Sequence, residues 1–365
     1  MPSINKLQIT QFRNIGQETM FPAHSVNIIT GENGSGKSSI LEAIHVLGLG
    51  RSFRNTQQTP LIQQGSRECT VFGVLDSGIS LGASRSLDDQ PQVRVNGDKA
   101  TSSAELASHL PFQLLNSDAF RLLEGGPKTR RQFIDWGVFH VEHRFHQHWR
   151  EFKRCLQQRN ALLKKKAPRV QIIPWTEEFV RHAEIIDQQR KRYLDQFLPV
   201  LEVMLKELIH IENLSFSYYR GWGEEGLAEA LDRNLERDTS IGHSGPGPQR
   251  ADLKIKMGNQ YADDILSRGQ QKLLVSAMKL AQGAYLAETS SQRCMFLIDD
   301  LPAELDRANR IKVCKLLKQL GGQLFITGTH DQELLDTIQE SGFTDTEYKL
   351  FHVKHGRICT ADTEK

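Results

Sequence analysis

Apolar and polar residues alternate with two different periods along the chain, and the changes in period predict its elements. LQITQF alternates with a period of two, and VNIIT (Val26–Thr30) is a continuous β-branched run, as expected of a strand buried on both faces. Lys37–Leu47 instead has helical spacing of its apolar residues. The segments ECTVFGVL, SGISLGASR and QVRVNG are separated by turn residues and predict an antiparallel β-meander beside a parallel core.

From residue 128 to residue 237 the pattern changes to long amphipathic stretches with almost no strand signal. Pro168, Pro174 and Pro199 interrupt these stretches, which predicts several short to medium helices. HSGPGP then predicts a return to the α/β domain. The expected elements that follow are strand ADLKIKM, helix 270–288, strand MFLID, helix 306–320, strand QLFIT and a last strand near KLFHVKHG. We therefore expect an α/β domain over residues 1–125 and 241–365, with an inserted helical domain over residues 126–240.

Composition narrows the class of protein. With 38% hydrophobic and 25% charged residues the chain is typical of soluble globular proteins. No run approaches the roughly 18 apolar residues that span a bilayer, and the polar start has no signal-peptide core, so we expect a cytoplasmic protein with no membrane partner. The 5 scattered cysteines are expected to be reduced thiols.

Charge is concentrated in one segment. The whole chain carries a net charge of +2, but residues 128–169 contain 12 Lys and Arg against 3 acidic residues, a local excess of +9. This segment is expected to carry the positive field of the protein.

The strongest chemical signal is GENGSGKS, which follows the predicted strand VNIIT and opens a helix. This is the P-loop pattern in its expected context: backbone N–H groups and the helix N-terminus face the phosphates, and glycines allow the backbone to approach them. Lys37 is expected to reach the β- and γ-phosphates and Ser38 to coordinate Mg²⁺. The predicted ATP-binding residues here are Gly31, Asn33, Gly34, Ser35, Gly36, Lys37, Ser38 and Ser39.

Two further motifs complete a nucleotide site. The apolar strand Met295–Ile298 ends in Asp299, expected to hold Mg²⁺, and Asp300, expected to polarise an attacking water. LSRGQQ places Ser267 as the N-cap of a long helix with Gly269 in its first turn, a second helix N-terminus suited to an anion.

In this order, GENGSGKS, LSRGQQ, FLIDD and AELD resemble the motifs of the ABC-type ATPase heads shared by the SMC, Rad50 and RecF proteins. LQITQFRNIG, GLGRSFR, LLEGGPKTRRQFIDWGVFH and RADL are similar to the RecF family in particular, so the resemblance covers nearly the whole chain. It implies an α/β ABC-type P-loop head, with a mixed sheet and a β-meander, that binds ATP and Mg²⁺.

The resemblance also implies roles for single residues. Ser267 and Gly269 would contact the γ-phosphate bound by a second subunit, and Gln113 would be the Q-loop residue, with access to Mg²⁺ and to catalysis. The other residues that it brings to the nucleotide are Asp306 in the D-loop, Arg13 and Arg54 near the phosphates or the dimer seam, and His330 in the place of the switch histidine.

Two positions depart from the family pattern. Transporter-type heads usually have glutamate where this chain has Asp300, which is one methylene shorter, so we hypothesise slow ATP turnover. Gln249 stands in GPGPQRADL where the RecF pattern often has histidine, and the role of that loop stays unassigned.

The basic insert is the candidate DNA surface, because clustered Lys and Arg side chains pair with phosphates. Its candidate residues are Arg150, Lys153, Arg154, Lys164, Lys165, Lys166 and Arg169. A solvated helix face is the plainer interpretation of such charges. A metal site at His140, His143 and His146 is not expected, because no carboxylate or cysteine completes a ligand set.

These features favour an ATP-dependent homodimeric clamp on duplex or gapped DNA. The resemblance to RecF implies cooperation with RecO and RecR in loading RecA on single strands, and a weak, DNA-stimulated ATPase activity. The alternative is the ATP-hydrolysing subunit of an ABC-type transporter, which shares the head motifs but lacks so basic an insert. A purely architectural tether is a third hypothesis, although an insert of about a hundred residues with prolines is poorly suited to a sustained coiled coil.

Overall fold

The computed structural model describes residues 2–54 and 61–360, which form two compact units. Unit 1 comprises the residues up to Ala119, Lys206–Leu208 and the residues from Lys272 onward, and unit 2 comprises Phe120–Leu205 and Ile209–Gln271. The strands are β1 (Ile4–Phe12), β2 (Ile15–Met20), β3 (Val26–Thr30), β4 (Glu68–Leu75), β5 (Ser80–Ser86), β6 (Gln92–Val95), β7 (Asp98–Lys99), β8 (Phe112–Leu115), β9 (Leu214–Tyr219), β10 (Asp252–Met257), β11 (Gln260–Tyr261), β12 (Met295–Ile298), β13 (Leu324–Gly328), β14 (Tyr348–Lys354) and β15 (Arg357–Thr360). The α-helices are α1 (Lys37–Leu49), α2 (Ser103–His109), α3 (Arg121–Glu124), α4 (Pro127–Val141), α5 (Phe145–Lys164), α6 (Arg169–Leu208), α7 (Leu227–Arg233), α8 (Leu235–Ile241), α9 (Ala262–Ile265), α10 (Arg268–Thr289), α11 (Leu301–Glu304), α12 (Arg307–Leu320) and α13 (Asp331–Glu340).

A mostly parallel sheet forms the centre of unit 1. Its strand order is β15-β14-β3-β13-β12-β8, and only the edge strand β15 runs antiparallel to its neighbour. Strands β3, β13 and β12 are buried along their whole length, as their continuous apolar sequences predict. Because β13 lies between β3 and β12, the residues that follow these three strands meet at one edge of the sheet.

The second sheet of unit 1 is the antiparallel meander β2-β1-β4-β5-β6-β7. Helix α1 packs against β4 and β5 of the meander and against β13 of the parallel sheet. Its residues Ile40, Leu41, Ile44 and Leu47 are completely buried in the core that joins these elements. The predicted mixed sheet with an attached meander is confirmed.

Unit 2 contains a sheet that the sequence analysis did not predict. Strand β9 pairs with β10, and β11 extends the same antiparallel sheet. The prediction placed ADLKIKM in the α/β domain after residue 240, whereas unit 2 extends to Gln271 because β10 forms its hydrogen bonds with β9. The period-two alternation of LSFSYY carried this signal, but its partner strand lies more than thirty residues further along.

One long helix replaces the series of shorter helices predicted around the prolines. Pro168 is the N-cap of α6, but the helix contains Pro174 and Pro199 within its 40 residues, so that prediction is wrong here. A proline removes one backbone hydrogen bond, a local cost that burial of a long apolar face outweighs. That face is formed by Phe179, Ala183, Ile186, Leu194, Phe197 and Leu201, which are almost fully buried.

In the part of the chain that the structure covers, no helix combines the length and apolarity needed to cross a bilayer. All the cysteines are free thiols, four of them buried and Cys359 exposed.

Candidate nucleotide-binding site

The loop between β3 and α1 has a backbone that only glycine adopts easily. Gly31, Gly34 and Gly36 have φ angles of 144°, 79° and 122°. A Cβ atom on Gly31 would lie 2.2 Å from the carbonyl oxygen of Val353, so glycine is also required there for space. The loop therefore presents bare backbone at the N-terminus of α1, the arrangement that a phosphate group requires.

Lys37 lies within this loop rather than in solvent. Its Nζ donates to the carbonyl oxygens of Gly31 at 2.7 Å and Glu32 at 3.0 Å. Burial lowers the pKa of Lys37, and the carboxylates of Asp300 and Asp299 partly oppose this effect. The ammonium group of Lys37 and the carboxylates of Asp299 and Asp300 therefore lie close together in one pocket.

The two carboxylates follow β12 directly. The Oδ1 atom of Asp299 accepts hydrogen bonds from Ser38 Oγ at 2.7 Å and from Thr327 Oγ1 at 2.9 Å. Asp300 has a left-handed backbone, with φ 55° and ψ 57°, and its N–H donates to Thr327 Oγ1 at 2.7 Å. Aspartate tolerates this conformation better than most residues, and the turn leaves both carboxylates lining the same pocket.

Thr327 was not predicted as a site residue. It is completely buried near the end of β13, which lies between β3 and β12. Its hydroxyl contacts both Asp299 and Asp300. A threonine near the end of the apolar run LFITG was the only sequence signal, and its meaning depends on the strand order.

Asn14 is a second residue that sequence patterns did not indicate. Its Nδ2 donates to the carbonyl oxygens of Gly34 and Ser35, and its Oδ1 accepts from Ser39 Oγ at 3.0 Å. Asn14 therefore ties the turn between β1 and β2 to the P-loop. Its contacts stabilise the loop conformation.

These groups surround an open pocket of about 300 Å³ that lies within unit 1. It is lined by Asn14, Asn33, Gly34, Gly36, Lys37, Ser38, Ser39, Arg54, Asp299, Asp300 and Thr327. A glycine loop and a lysine suit phosphate oxygens, but two carboxylates beside them would repel a polyphosphate. A divalent cation removes that repulsion, and the Ser38 hydroxyl with the Asp299 carboxylate is the oxygen donor set that Mg²⁺ prefers, so the residues fit ATP with Mg²⁺.

The LSRGQQ motif forms an exposed helix start in unit 2. Ser267 and Gln270 cap α10 reciprocally: Ser267 Oγ accepts from the Gln270 N–H at 3.3 Å, and Gln270 Oε1 accepts from the Ser267 N–H at 3.0 Å. The predicted N-cap role of Ser267 is confirmed. Gly269 is exposed, and a Cβ atom there would have no neighbour within 4 Å, so the first turn of α10 is open to an incoming group.

The family described as the RecF/RecN/SMC N-terminal domain matches residues 3–357. "DNA replication and repair protein RecF" of Stutzerimonas stutzeri is 44% identical over 98% of this chain and 97% of its own length, and that of Pseudomonas syringae pv. tomato is 46% identical over 98% of both. The chain belongs to the RecF family.

Solved structures show the fold of this family. The recombination mediator protein RecF with ATP, of the RecFOR pathway, has a TM-score of 0.84 at 24% identity, over 98% of this chain and 97% of that chain. The Smc head domain of Pyrococcus furiosus, bound to a domain of ScpA, has a TM-score of 0.59 at 18% identity. The match covers 99% of this chain and 96% of that chain. The predicted ABC-type ATPase head is therefore confirmed as the fold.

Some residues that the RecF-family resemblance assigned to the nucleotide site do not line the pocket. Gln113 is buried on β8, where its Nε2 donates to Gln282 Oε1 at 2.9 Å. The guanidinium of Arg13 pairs with the fully buried carboxylate of Glu42 on α1 and does not line the pocket. His330 is exposed at the start of α13, and Asp306 caps α12 by accepting from the Asn309 N–H at 3.0 Å. Arg54, by contrast, does line the pocket.

The candidate DNA residues are all exposed, but they differ in their partners. Arg150 and Arg154 both pair with Glu151, Lys153 lies 3.7 Å from the centre of the Trp149 ring, and Arg169 pairs with Asp232. Lys164, Lys165 and Lys166 form no ion pair with any residue that the structure describes. These three lysines at the end of α5 are the best placed of the set to meet a phosphate.

The histidines of residues 140–148 divide between the interior and the surface. Burial lowers the pKa of His140 to about 3, whereas His143 is exposed. Among residues 2–54 and 61–360, no group of three or more His, Cys, Asp or Glu side chains is arranged to hold a metal ion.

Proposed function

We propose that this protein is an ATP-dependent DNA clamp of recombinational repair. Its RecF-family membership and relatives named for DNA replication and repair support this proposal, and leave the transporter alternative without support. The observation that carries it is the direct contact of Ser38 with Asp299 beside Lys37, which assembles P-loop and carboxylates from opposite ends of the chain.

Within one copy, Lys37 neutralises the β- and γ-phosphates of ATP, and Ser38 and Asp299 hold Mg²⁺. The bound Mg²⁺ supplies positive charge to the phosphates. Asp300 orients the attacking water and accepts its proton. Its shorter side chain places the carboxylate further from the water than glutamate would, which is consistent with slow, weak hydrolysis.

A second copy completes the site. All the residues that line the pocket lie in unit 1, whereas Ser267 and Gly269 present an open helix N-terminus from unit 2. In the proposed homodimer that N-terminus meets the γ-phosphate held by the other copy, because a helix start favours negative charge. ATP thus joins the two copies, and hydrolysis releases them.

DNA and protein partners follow from the same proposal. The exposed lysines at the end of α5 would bind the phosphates of duplex or gapped DNA near the nucleoid in the cytoplasm. The RecF relative solved with ATP belongs to the RecFOR pathway. We accordingly propose that this protein acts with RecO and RecR to promote RecA loading on single strands, and that DNA stimulates its ATPase activity.

The test is the size of the purified protein with ATP, ADP or no nucleotide. The wild type should form dimers with ATP alone, Ser267→Arg should stay monomeric, and Asp300→Asn should form dimers that persist because hydrolysis is blocked. Ser103→Arg, the same change at an exposed first residue of α2, is the matched control and should dimerise normally. Monomers of the wild type under all three conditions would contradict the proposal.

A further inference from the structure

A second cavity lies entirely within unit 2 and is larger than the nucleotide pocket. Its volume is about 540 Å³, and its walls come from the segment after β9, from α7 and α8, and from the loop that follows α8. We call it the arginine pocket, defined by Tyr219, Trp222, Arg233, Arg237, His243 and Arg250. The loop is HSGPGP, which overlaps the segment GPGPQRADL whose role stayed unassigned.

The wall of the arginine pocket is built from backbone held in a fixed shape. Gly221 has a φ of 102°, and a Cβ atom there would lie 2.1 Å from the carbonyl oxygen of Gly247. The side-chain amide of Gln249 donates to three successive carbonyl oxygens, those of Ser244, Gly245 and Pro246. Gln249 therefore holds the loop together through its own side chain.

The acidic residues of the wall already have partners. The buried carboxylate of Asp238 accepts from Arg159 Nη1 at 3.2 Å and from the Gly245 N–H at 3.0 Å, while Glu225 pairs with Arg233. Arg237, His243 and Arg250 are exposed, and their side chains form no ion pair or hydrogen bond within the described residues. Two guanidinium groups without acidic partners thus face one cavity, and guanidinium suits the oxygen atoms of phosphate.

The aromatic residues narrow the class of ligand. Tyr219 lines the cavity and is 41% exposed, with Lys254 Nζ 5.3 Å from the centre of its ring, whereas Trp222 is buried in the wall. An exposed ring beside free arginines is the combination on which unpaired bases stack while their phosphates are neutralised. A duplex keeps its bases stacked inside, so it can offer phosphates to this cavity but no base.

We propose that the arginine pocket binds a phosphate and the adjoining base of a single DNA strand. This inference rests on the proposed DNA-binding function and specifies where that function meets an unpaired strand. Arg237 and Arg250 hold the phosphate, and Tyr219 stacks on the base. Binding in this cavity would distinguish the single-stranded part of gapped DNA from its duplex parts.

The test is fluorescence anisotropy of the full-length protein with a labelled oligothymidine and with a blunt duplex, over a range of salt concentrations. Arg237→Ala/Arg250→Ala should bind oligothymidine about tenfold more weakly, and its salt dependence should be shallower by about 1.4, the value for two lost contacts to a single strand. Tyr219→Leu should weaken oligothymidine binding by at least about fivefold through lost stacking. Duplex binding should change less than about twofold in Tyr219→Leu, because a duplex offers no unpaired base, and Arg237→Ala/Arg250→Ala should weaken duplex binding less than oligothymidine binding.

The matched control is Arg181→Ala/Arg192→Ala, which removes two other exposed arginines of unit 2 that are ion-paired. It should bind both DNAs like the wild type, and thermal unfolding should show all variants folded. The pocket inference would be overturned if the pocket variants lost equal affinity for oligothymidine and duplex, or lost none. It would also be overturned if poly-glutamate displaced oligothymidine from the protein. In each case the proposed function would still stand. A wild type that binds neither DNA would overturn both.

Discussion

His45 is a buried base on the helix that carries the P-loop. Its Nδ1 lies 2.7 Å from the carbonyl oxygen of Arg51, and the rings of Phe53 and Phe112 meet it edge-on. Burial lowers the pKa of His45 to about 4, although the Arg51 carbonyl favours the protonated form. The unfolded chain, with a pKa near 6.5, therefore takes up the proton first, so stability present above pH 6.5 is lost as the pH falls towards 4.

The lowered pKa of His45 predicts that unit 1 becomes less stable as the pH falls. Between about pH 7.5 and about pH 5, His45 should remove about 2 kcal/mol from the free energy of unfolding. His45→Asn keeps a donor for the Arg51 carbonyl but cannot titrate, so its stability should change less over this range by about that amount. Urea unfolding at the two pH values measures the difference.

The control is the same substitution at an exposed site, His210→Asn, which should leave the pH dependence unchanged. If His45→Asn and the wild type lost equal stability on acidification, another group would be responsible.

At the scale of elements, α6 depends on tertiary packing more than on its own sequence. The rings of Tyr193 and Phe197 stack with their centres 5.3 Å apart. The Phe197 ring also meets the Phe133 ring of α4 edge-on, with a centre-to-centre distance of 5.8 Å. A Cβ atom on Gly137 of α4 would lie 2.1 Å from the Tyr193 ring, so a glycine is needed where the two helices approach. Such contacts stabilise a helix through residues that would interrupt an isolated one.

Pro199 should therefore still lower stability within α6. It is exposed, so Pro199→Ala removes no packing and restores a backbone N–H that can bond the carbonyl oxygen of Asp195. We expect unit 2 to gain at least about 1 kcal/mol in its free energy of unfolding. Pro127→Ala, at the first position of α4 where no such bond is available, should give little change. Denaturant unfolding compares the two variants, and equal effects would contradict this account of α6.

At the scale of the whole molecule, the basic segment is less positive than its sequence indicates. Arg159 pairs with Asp238 in the interior and Arg130 with Asp252, so acids far along the chain neutralise part of the +9 excess. The unpaired charge that remains at Lys164–Lys166 lies at one end of α5.

Replacing these three lysines by alanine should weaken binding to any duplex, irrespective of sequence. The slope of log affinity against log salt should become shallower by about 2.7, the value for three lost phosphate contacts. The same replacement of Lys312, Lys315 and Lys354, exposed lysines of unit 1, is the control and should change the slope little. An unchanged slope in the first variant would place the duplex surface elsewhere.

Local patterns determined the parts of this protein that depend on neighbours in the chain. The P-loop glycines, the strand Met295–Ile298 and the Ser267 cap follow from backbone geometry within a few residues, so sequence periodicity and spacing predicted them. ATP as a ligand was predicted from the P-loop residues in the same way, whereas the proposed Mg²⁺ donors Ser38 and Asp299 meet only through the fold.

Only the tertiary structure decided which distant side chains meet. Thr327 bridges the site because β13 lies between β3 and β12, and Gln113 is held in the interior because Gln282 accepts its amide hydrogen. The arginine pocket likewise places Tyr219, at the end of β9, beside the loop that follows α8. The free energy of these contacts depends on strand order and packing between residues far apart in sequence, which no local pattern records.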